Sequence, residues 1–198
     1  MYKTSEKIIG AITAIYILIF SVAYMLQGNI EFLAYIAVLI IIAGIIWKTL
    51  PDTKLDSLAL SGLSLWGILH LAGGGVKLSN GGVLYGLHLI NIIDKGGQFF
   101  ILKYDQFVHF LGFAVTAIVI FQILQPRFKS QVSKKMLYFI TIISALGLSA
   151  ANEVIEFAAF LSIPDTWVGD FYNLALDLVF NTLGAITGTI ISVFRLRK

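Results

Sequence analysis

The chain has 198 residues, of which 58% are hydrophobic and only 13% are charged. A soluble globular domain carries about 25% charged residues, so this composition excludes an ordinary soluble protein and predicts an integral membrane protein. The absence of cysteine excludes disulfides, thiolate catalysis and cysteine-ligated metal sites. The net charge of +3 comes from basic residues that lie between apolar stretches, so we expect no nucleic-acid partner.

The apolar stretches predict an all-α, polytopic membrane bundle that forms a single domain over residues 1–198. A transmembrane helix needs about 20 consecutive apolar residues. The predicted spans cover residues 7–26, 31–49, 55–72, 104–125, 136–161 and 171–194. The first apolar run continues without a small-residue cleavage site, so we interpret it as an uncleaved span and not as a signal peptide.

The distribution of Lys and Arg predicts the orientation in the membrane. With six spans and a cytoplasmic N-terminus, only Lys77, Lys95 and Lys103 of the 14 basic residues lie on the outer side. An excess of basic residues in cytoplasmic loops is the rule for membrane proteins. We therefore expect both termini in the cytoplasm.

The long connection between the third and fourth spans, residues 73–103, is rich in glycine. Its glycines argue against a continuous helix and predict tight turns in a long outer loop. The apolar piece VLYGLHLINII within it is too short to cross a bilayer, so we expect a re-entrant or interfacial segment. These glycines do not form a phosphate-binding loop, because no strand–turn–helix unit surrounds them.

The charged residues inside the last three spans all lie in the predicted outer half of the membrane. Asp105 and His109 begin the fourth span, Glu153 and Glu156 lie near the outer end of the fifth, and Asp177 follows the start of the sixth. A charge at the centre of a membrane helix costs roughly 2.5–3.5 kcal/mol on insertion scales. Something in the outer half must therefore offset this cost.

Helical spacing places the polar residues of the sixth span on one stripe. Asn173, Asp177 and Asn181 follow at i, i+4 and i+8, and Gly184 and Gly188 continue the stripe inward. Small residues at this spacing allow close helix contact, as in GxxxG packing. The pattern predicts a polar cluster in the outer half and tight helix packing in the inner half.

These observations define a candidate site with two groups of residues. The predicted catalytic residues are Asp105, His109, Glu153, Glu156 and Asp177. The predicted polar lining consists of His70, Asp170, Asn173 and Asn181. Structural roles are the alternative for several of them, since Asp105 can act as a helix cap, His70 can bind carbonyl groups at a helix end and Asn181 can join two helices.

Three kinds of chemistry suit a histidine among carboxylates. The first is a divalent metal site, with His109, Glu153, Glu156 and Asp177 as ligands, although no HExxH motif is present. The second is a general acid–base pair of protonated carboxylates and histidine. The third is a path for protons or cations. A divalent metal ion is therefore the one cofactor that the residues suggest.

At these same residues the chain resembles the YjdF-like family of small bacterial membrane proteins, which is related to the VanZ-like group. The matching motifs are HLAGG (70–74), YDQFVHFLGF (104–113), NEVIEF (152–157) and GDFYNLALDLVFNTLGA (169–185). The resemblance implies a prokaryotic inner-membrane protein with an Asp–x–x–x–His motif, a Glu–x–x–Glu motif and an acidic last helix. Asn173 departs from this pattern, because the family is expected to have an acid there.

The sequence leaves three functions open. The first is an enzyme-like site that faces the outer leaflet and acts on a lipid or lipid-linked headgroup, with membrane lipids as partners. The second is an ion-coupled carrier that uses the same carboxylates, and the third is a non-catalytic resistance or envelope-stress protein. A carrier predicts polar residues that continue to the cytoplasmic face, whereas the inner halves of these spans are almost purely apolar. This favours the enzyme.

Overall fold

The computed structural model describes residues 2–96, 99–128, 131–163, 169 and 171–196, and its architecture is a bundle of long helices. The six helices are α1 Thr4–Gln27, α2 Ile30–Thr53, α3 Ser57–Gly75, α4 Tyr104–Phe128, α5 Lys134–Ser162 and α6 Phe171–Leu196. All six are long and apolar enough to cross a membrane. The predicted polytopic bundle is therefore confirmed, and each helix coincides with one predicted span.

Local sequence signals explain where several helices begin and end. Asn29, Asp56 and Ser133 each accept a hydrogen bond from a backbone N–H of the first turn of α2, α3 and α5. Such caps satisfy backbone donors that have no partner within the helix. Gly28 ends α1 in the left-handed conformation, with a φ of 66°. Short polar breaks thus separate long helices of predominantly apolar composition.

The connection between α3 and α4 forms a small β-hairpin. A single 3-10 turn, Leu84–Gly86, precedes strand β1, His88–Asp94, which pairs antiparallel with β2, Phe100–Lys103. The sequence predicted turns and a segment too short to span, but it did not predict strands. All residues of β1 are exposed. We call the end of the bundle that carries this hairpin the hairpin end, and the other end the terminal end.

Glycines in the last turn of α3 allow the loop to pack against the bundle. A side chain at Gly73 would overlap the ring of Tyr85, and one at Gly74 would overlap the ring of Phe32. Both glycines are buried. The Tyr85 ring is thereby held over the hairpin end of the bundle.

The most extensive contact between any two helices joins α4 and α6. Gly184 and Gly188 of α6 lie directly against the backbone carbonyl groups of Phe110 and Ala114, with no space for a Cβ atom. Small residues in membrane helices permit this close approach of two backbones. The predicted packing role of the glycine stripe is therefore what the structure displays.

A polar cluster at the terminal end connects three helices. Arg195 lies 2.8 Å from Asp56, and the Gln122 amide donates to the same carboxylate over 2.9 Å. Burial raises the pKa of Asp56, but the hydrogen bonds from Ala59, Gln122 and Arg195 together bring that pKa below its ordinary value. This carboxylate is therefore paired with a cation of its own.

The orientation can be tested by labelling, because the chain has no cysteine of its own. Ser79 lies at the hairpin end and Gln131 lies between α4 and α5 at the terminal end, and both are exposed. We expect a membrane-impermeant maleimide to label Ser79→Cys in intact cells and Gln131→Cys only after permeabilisation. The opposite pattern would show that the termini face outward.

Candidate functional site

His109 lies at the centre of a polar cluster near the hairpin end. Its Nδ1 is 3.0 Å from the Asn181 Oδ1 and 3.9 Å from a Glu153 oxygen. Its Nε2 is 3.6 Å from an Asp105 oxygen and 3.9 Å from a Glu156 oxygen. Both ring nitrogens therefore face carboxylate or amide oxygens. The imidazole is 10% exposed, so it is largely shielded from water. Three helices contribute to this arrangement.

The first turns of α4 and α6 are joined through one amide. The Asn173 side chain donates to Asp105 over 3.1 Å and to Asp177 over 2.6 Å. These bonds tie the two carboxylates to one amide. At the position where a further acid was expected from the family resemblance, the chain thus has a neutral donor that orients two acids.

Helix α5 supplies the other wall of the cluster. The Asn181 amide donates to the Ser149 hydroxyl over 2.8 Å and to Glu153 over 3.2 Å. On the same helix, Asn152 donates to Glu156 over 2.7 Å. The amides of Asn152 and Asn181 thus hold the two glutamates in place by hydrogen bonds.

Two carboxylate oxygens are buried without a hydrogen-bond partner among the described residues, namely the Glu153 Oε2 and the Asp177 Oδ1. Asp177 is 0% exposed and Glu153 is 6% exposed. An unsatisfied buried polar group costs about 1–3 kcal/mol, and more if it is charged. Residues 104–126 and 136–194 contain no Lys or Arg that could compensate. The cluster therefore requires protons or a bound cation.

The geometry suits metal ligation in two overlapping ways. In two groups of three residues, one ligand atom from each residue lies within 4.8 Å of the other two. The first group is Asp105, His109 and Asp177, and the second is Glu153, Glu156 and Asp177. We call these sets the first and the second triplet. Carboxylate oxygens and imidazole nitrogens suit divalent ions such as Zn²⁺, Mn²⁺ and Mg²⁺. Asp177 belongs to both triplets.

His70 lies in a neighbouring cluster and does not join these triplets. Its Nδ1 forms a hydrogen bond with the Tyr85 hydroxyl. Burial raises the pKa of Tyr85 well above its ordinary value, and the Asp105 and Glu156 carboxylates add to this effect. Tyr85 therefore stays protonated. A cavity of about 40 Å³, with room for about one water molecule, lies between His70 and His109.

A larger cavity of about 290 Å³ opens between α5 and α6. Glu153, Glu156 and Asp177 line it, so the carboxylates of the second triplet are within its reach. Four further lining residues are apolar and exposed at the bundle surface, namely Phe157, Phe160, Phe171 and Leu174. The cavity thus combines an acidic part with an apolar, aromatic part.

Comparison with known proteins identifies the family. The family model described as "Predicted membrane protein (DUF2238)" matches residues 7–198. The chain belongs to this family. No curated protein and no solved structure matches it. The DUF2238 match thus supports the membrane character of the chain, whereas the relation to the YjdF-like and VanZ-like groups stays a prediction.

In this DUF2238 protein the structure brings together the predicted catalytic residues Asp105, His109, Glu153, Glu156 and Asp177, and their catalytic roles stay predictions. Of the predicted lining residues, Asn173 and Asn181 belong to the cluster, whereas His70 borders it. Asp170, which was also predicted to line the site, lies outside the described residues.

Sequence reasoning missed several polar neighbours of the site. Ser149 and Asn152 bond to site residues, and their spacing with Glu153 and Glu156 along one helix was a usable signal. Glu31 of α2 is 4% exposed and lines the small cavity. It could have been found as an acid in the first turn of an otherwise apolar span.

Proposed function

We propose that this protein is a metal-dependent enzyme that acts on a membrane lipid or lipid-linked headgroup. The observation that carries the proposal is the cavity between α5 and α6, which has carboxylates in its polar part and phenylalanines at the lipid-facing surface. An amphiphile has the same division into a polar and an apolar part. Its headgroup can reach Glu153, Glu156 and Asp177 while its chains stay in the bilayer.

The chemistry follows from the composition of the cluster. A divalent cation bound by His109 and the surrounding carboxylates would activate water or polarise an oxygen of the headgroup. Asn173 and Asn181 keep these ligands in place through hydrogen bonds to Asp105, Asp177 and Glu153. In this proposal the amides are positioning residues, and the acids and His109 are the reacting or ligating groups.

We also propose that the site faces outward and that the YjdF-like and VanZ-like groups share it. The excess of Lys and Arg at the terminal end supports a hairpin end that faces outward, away from the cytoplasm. The motifs that resemble YjdF-like and VanZ-like proteins contribute Asp105, His109, Glu153, Glu156 and Asp177. This agreement supports a shared site in these groups.

Packing below the cluster argues against a carrier. Ala117, Ala145 and Ala185 form a core that is 0% exposed in the middle of α4, α5 and α6. Gly184 and Gly188 close the gap between α4 and α6 at the same level. An ion that travels toward the terminal end would have to cross this apolar contact, so the enzyme is the better supported reading.

The proposal predicts lipid turnover in vitro. Purified protein in vesicles of polar membrane lipids, supplied with Mn²⁺ or Zn²⁺, should change the mass of a lipid headgroup in mass spectrometry. We expect His109→Ala to abolish this change, whereas Asp52→Asn, which removes an exposed acid at the terminal end, should behave as wild type. Unchanged lipids with metal-loaded wild-type protein would refute the proposed function.

A further inference from the structure

We infer that the site holds two divalent cations, one in each triplet, with the Asp177 carboxylate as the bridge between them. The inference rests on the proposed function and specifies its ligand. It assigns Asp105 and His109 to one ion, and Glu153 and Glu156 to the other. The first ion lies between α4 and α6, and the second lies between α5 and α6.

The positions of the ligand atoms support a pair of ions. Within each triplet the three ligand atoms lie within 4.8 Å of one another, so side-chain rotations that bring them slightly closer would allow one ion to bind at ordinary bond lengths of about 2.0–2.2 Å. One ion would leave two of the five side chains without a role. Two ions account for all five, provided that Asp177 serves both.

The unpartnered oxygens are a second and independent observation. Asp177 accepts from Asn173 through its Oδ2, while its fully buried Oδ1 has no donor among the described residues. A bridging carboxylate binds one ion through each oxygen, and an oxygen that accepts a hydrogen bond still has a lone pair for a metal. The Oε2 of Glu153, which also has no donor among the described residues, belongs to a side chain of the second triplet, where the second ion could satisfy it.

The charge of the cluster is also balanced by two divalent ions. The four acids of the triplets, Asp105, Glu153, Glu156 and Asp177, carry four negative charges when ionised, and with one divalent ion two of them would have to be protonated. Two divalent ions neutralise all four. Neutrality matters here because uncompensated charges are costly in a poorly hydrated membrane interior.

A pair of ions indicates the chemical class of the headgroup. Two-metal sites hold their ions about 3.5–4 Å apart and stabilise both the attacking and the leaving oxygen in displacements at phosphorus. We therefore assign a phosphate ester as the reacting group. Hydrolysis would form a bond from phosphorus to a water oxygen and break the bond from phosphorus to the leaving alcohol oxygen. The proton lost by the water would end on that alcohol.

The number of ions can be measured without any substrate. Purified metal-free protein is dialysed against Mn²⁺, bound metal is counted by elemental analysis, and electron paramagnetic resonance reports whether neighbouring Mn²⁺ ions are magnetically coupled. We expect two ions per chain and a coupled spectrum for wild type and for the control Asp52→Asn. His109→Gln and Glu156→Gln, which each alter one triplet, should retain one ion and lose the coupling.

Asp177→Asn tests the bridge and should lose the coupled signal even where some metal stays bound. If this variant does not fold, the two single-triplet variants still decide the question. One ion per chain in wild type, or two ions without coupling, would overturn the inference and leave a metal-dependent enzyme standing. A coupled pair in a protein that leaves all lipids unchanged would support the inference and refute the proposed function.

Discussion

The double variant Glu153→Gln/Glu156→Gln should fold and insert like wild type and yet lose lipid turnover by at least about 100-fold. A bound metal ion stabilises the transition state by several kcal/mol, and each 1.36 kcal/mol of stabilisation corresponds to a factor of ten in rate. Glutamine keeps the size of the side chain and its hydrogen bonds to Asn152 and Asn181, but it removes two ligand charges. Size-exclusion profiles would show whether the variant folds, and lipid turnover by the reconstituted protein would measure the loss of activity.

Thermal unfolding separates a functional role of these acids from a structural one. Without metal, the double variant should be at least as stable as wild type, because two nearby buried carboxylates no longer repel each other. With Mn²⁺, wild type should gain stability, by about 2.7 kcal/mol at a hundredfold excess over the dissociation constant, and the variant should gain less. A variant that matches wild type in turnover and in its response to metal would show that both glutamates are structural.

The substitution Gly188→Leu should prevent formation of the folded bundle. The missing side chain at Gly188 is what allows α6 to touch the backbone carbonyl of Ala114 on α4. Overpacking in a well-packed interior typically costs about 1–3 kcal/mol, and here the obstacle is backbone that a rotamer change cannot move. We expect little monodisperse protein after extraction in mild detergent.

Gly147 of α5 offers a matched control for this substitution. It also lies within a membrane helix, but an added Cβ would meet no atom within 4 Å. Gly147→Leu should therefore give wild-type yield and melting temperature. Equal behaviour of the two leucine variants would mean that the contact between α4 and α6 does not limit folding.

The helices could be predicted from the sequence because membrane spans are encoded locally, by length and apolarity. The cluster around His109 could be anticipated because helical periodicity fixes which residues share a face, as for Asn173, Asp177 and Asn181. The neighbour relations between helices are not local. Whether α5 or α2 covers a given face depends on packing, so the sequence marks Glu31 as an unusual acid in α2 but does not place it beside the site.

The hairpin shows a different limit of sequence reasoning. Residues 88–94 read HLINIID, a short apolar run without clear alternation, and such runs do not distinguish a strand from another interfacial structure. Its pairing with Phe100–Lys103 depends on a turn between them. The glycines of this loop correctly excluded a long helix, but they did not specify what replaces it.

The close contact between α4 and α6 has a consequence for the order in which ligands bind. Asp105, His109 and Asp177 lie on the two helices whose backbones touch, so little conformational entropy is lost when an ion binds there. Glu153 and Glu156 lie on α5, which packs less extensively against both helices and has more freedom to lose. Side chains that are already held in the binding geometry bind an ion more tightly, because less entropy is lost when the ion binds. The first triplet should therefore fill at lower ion concentrations than the second.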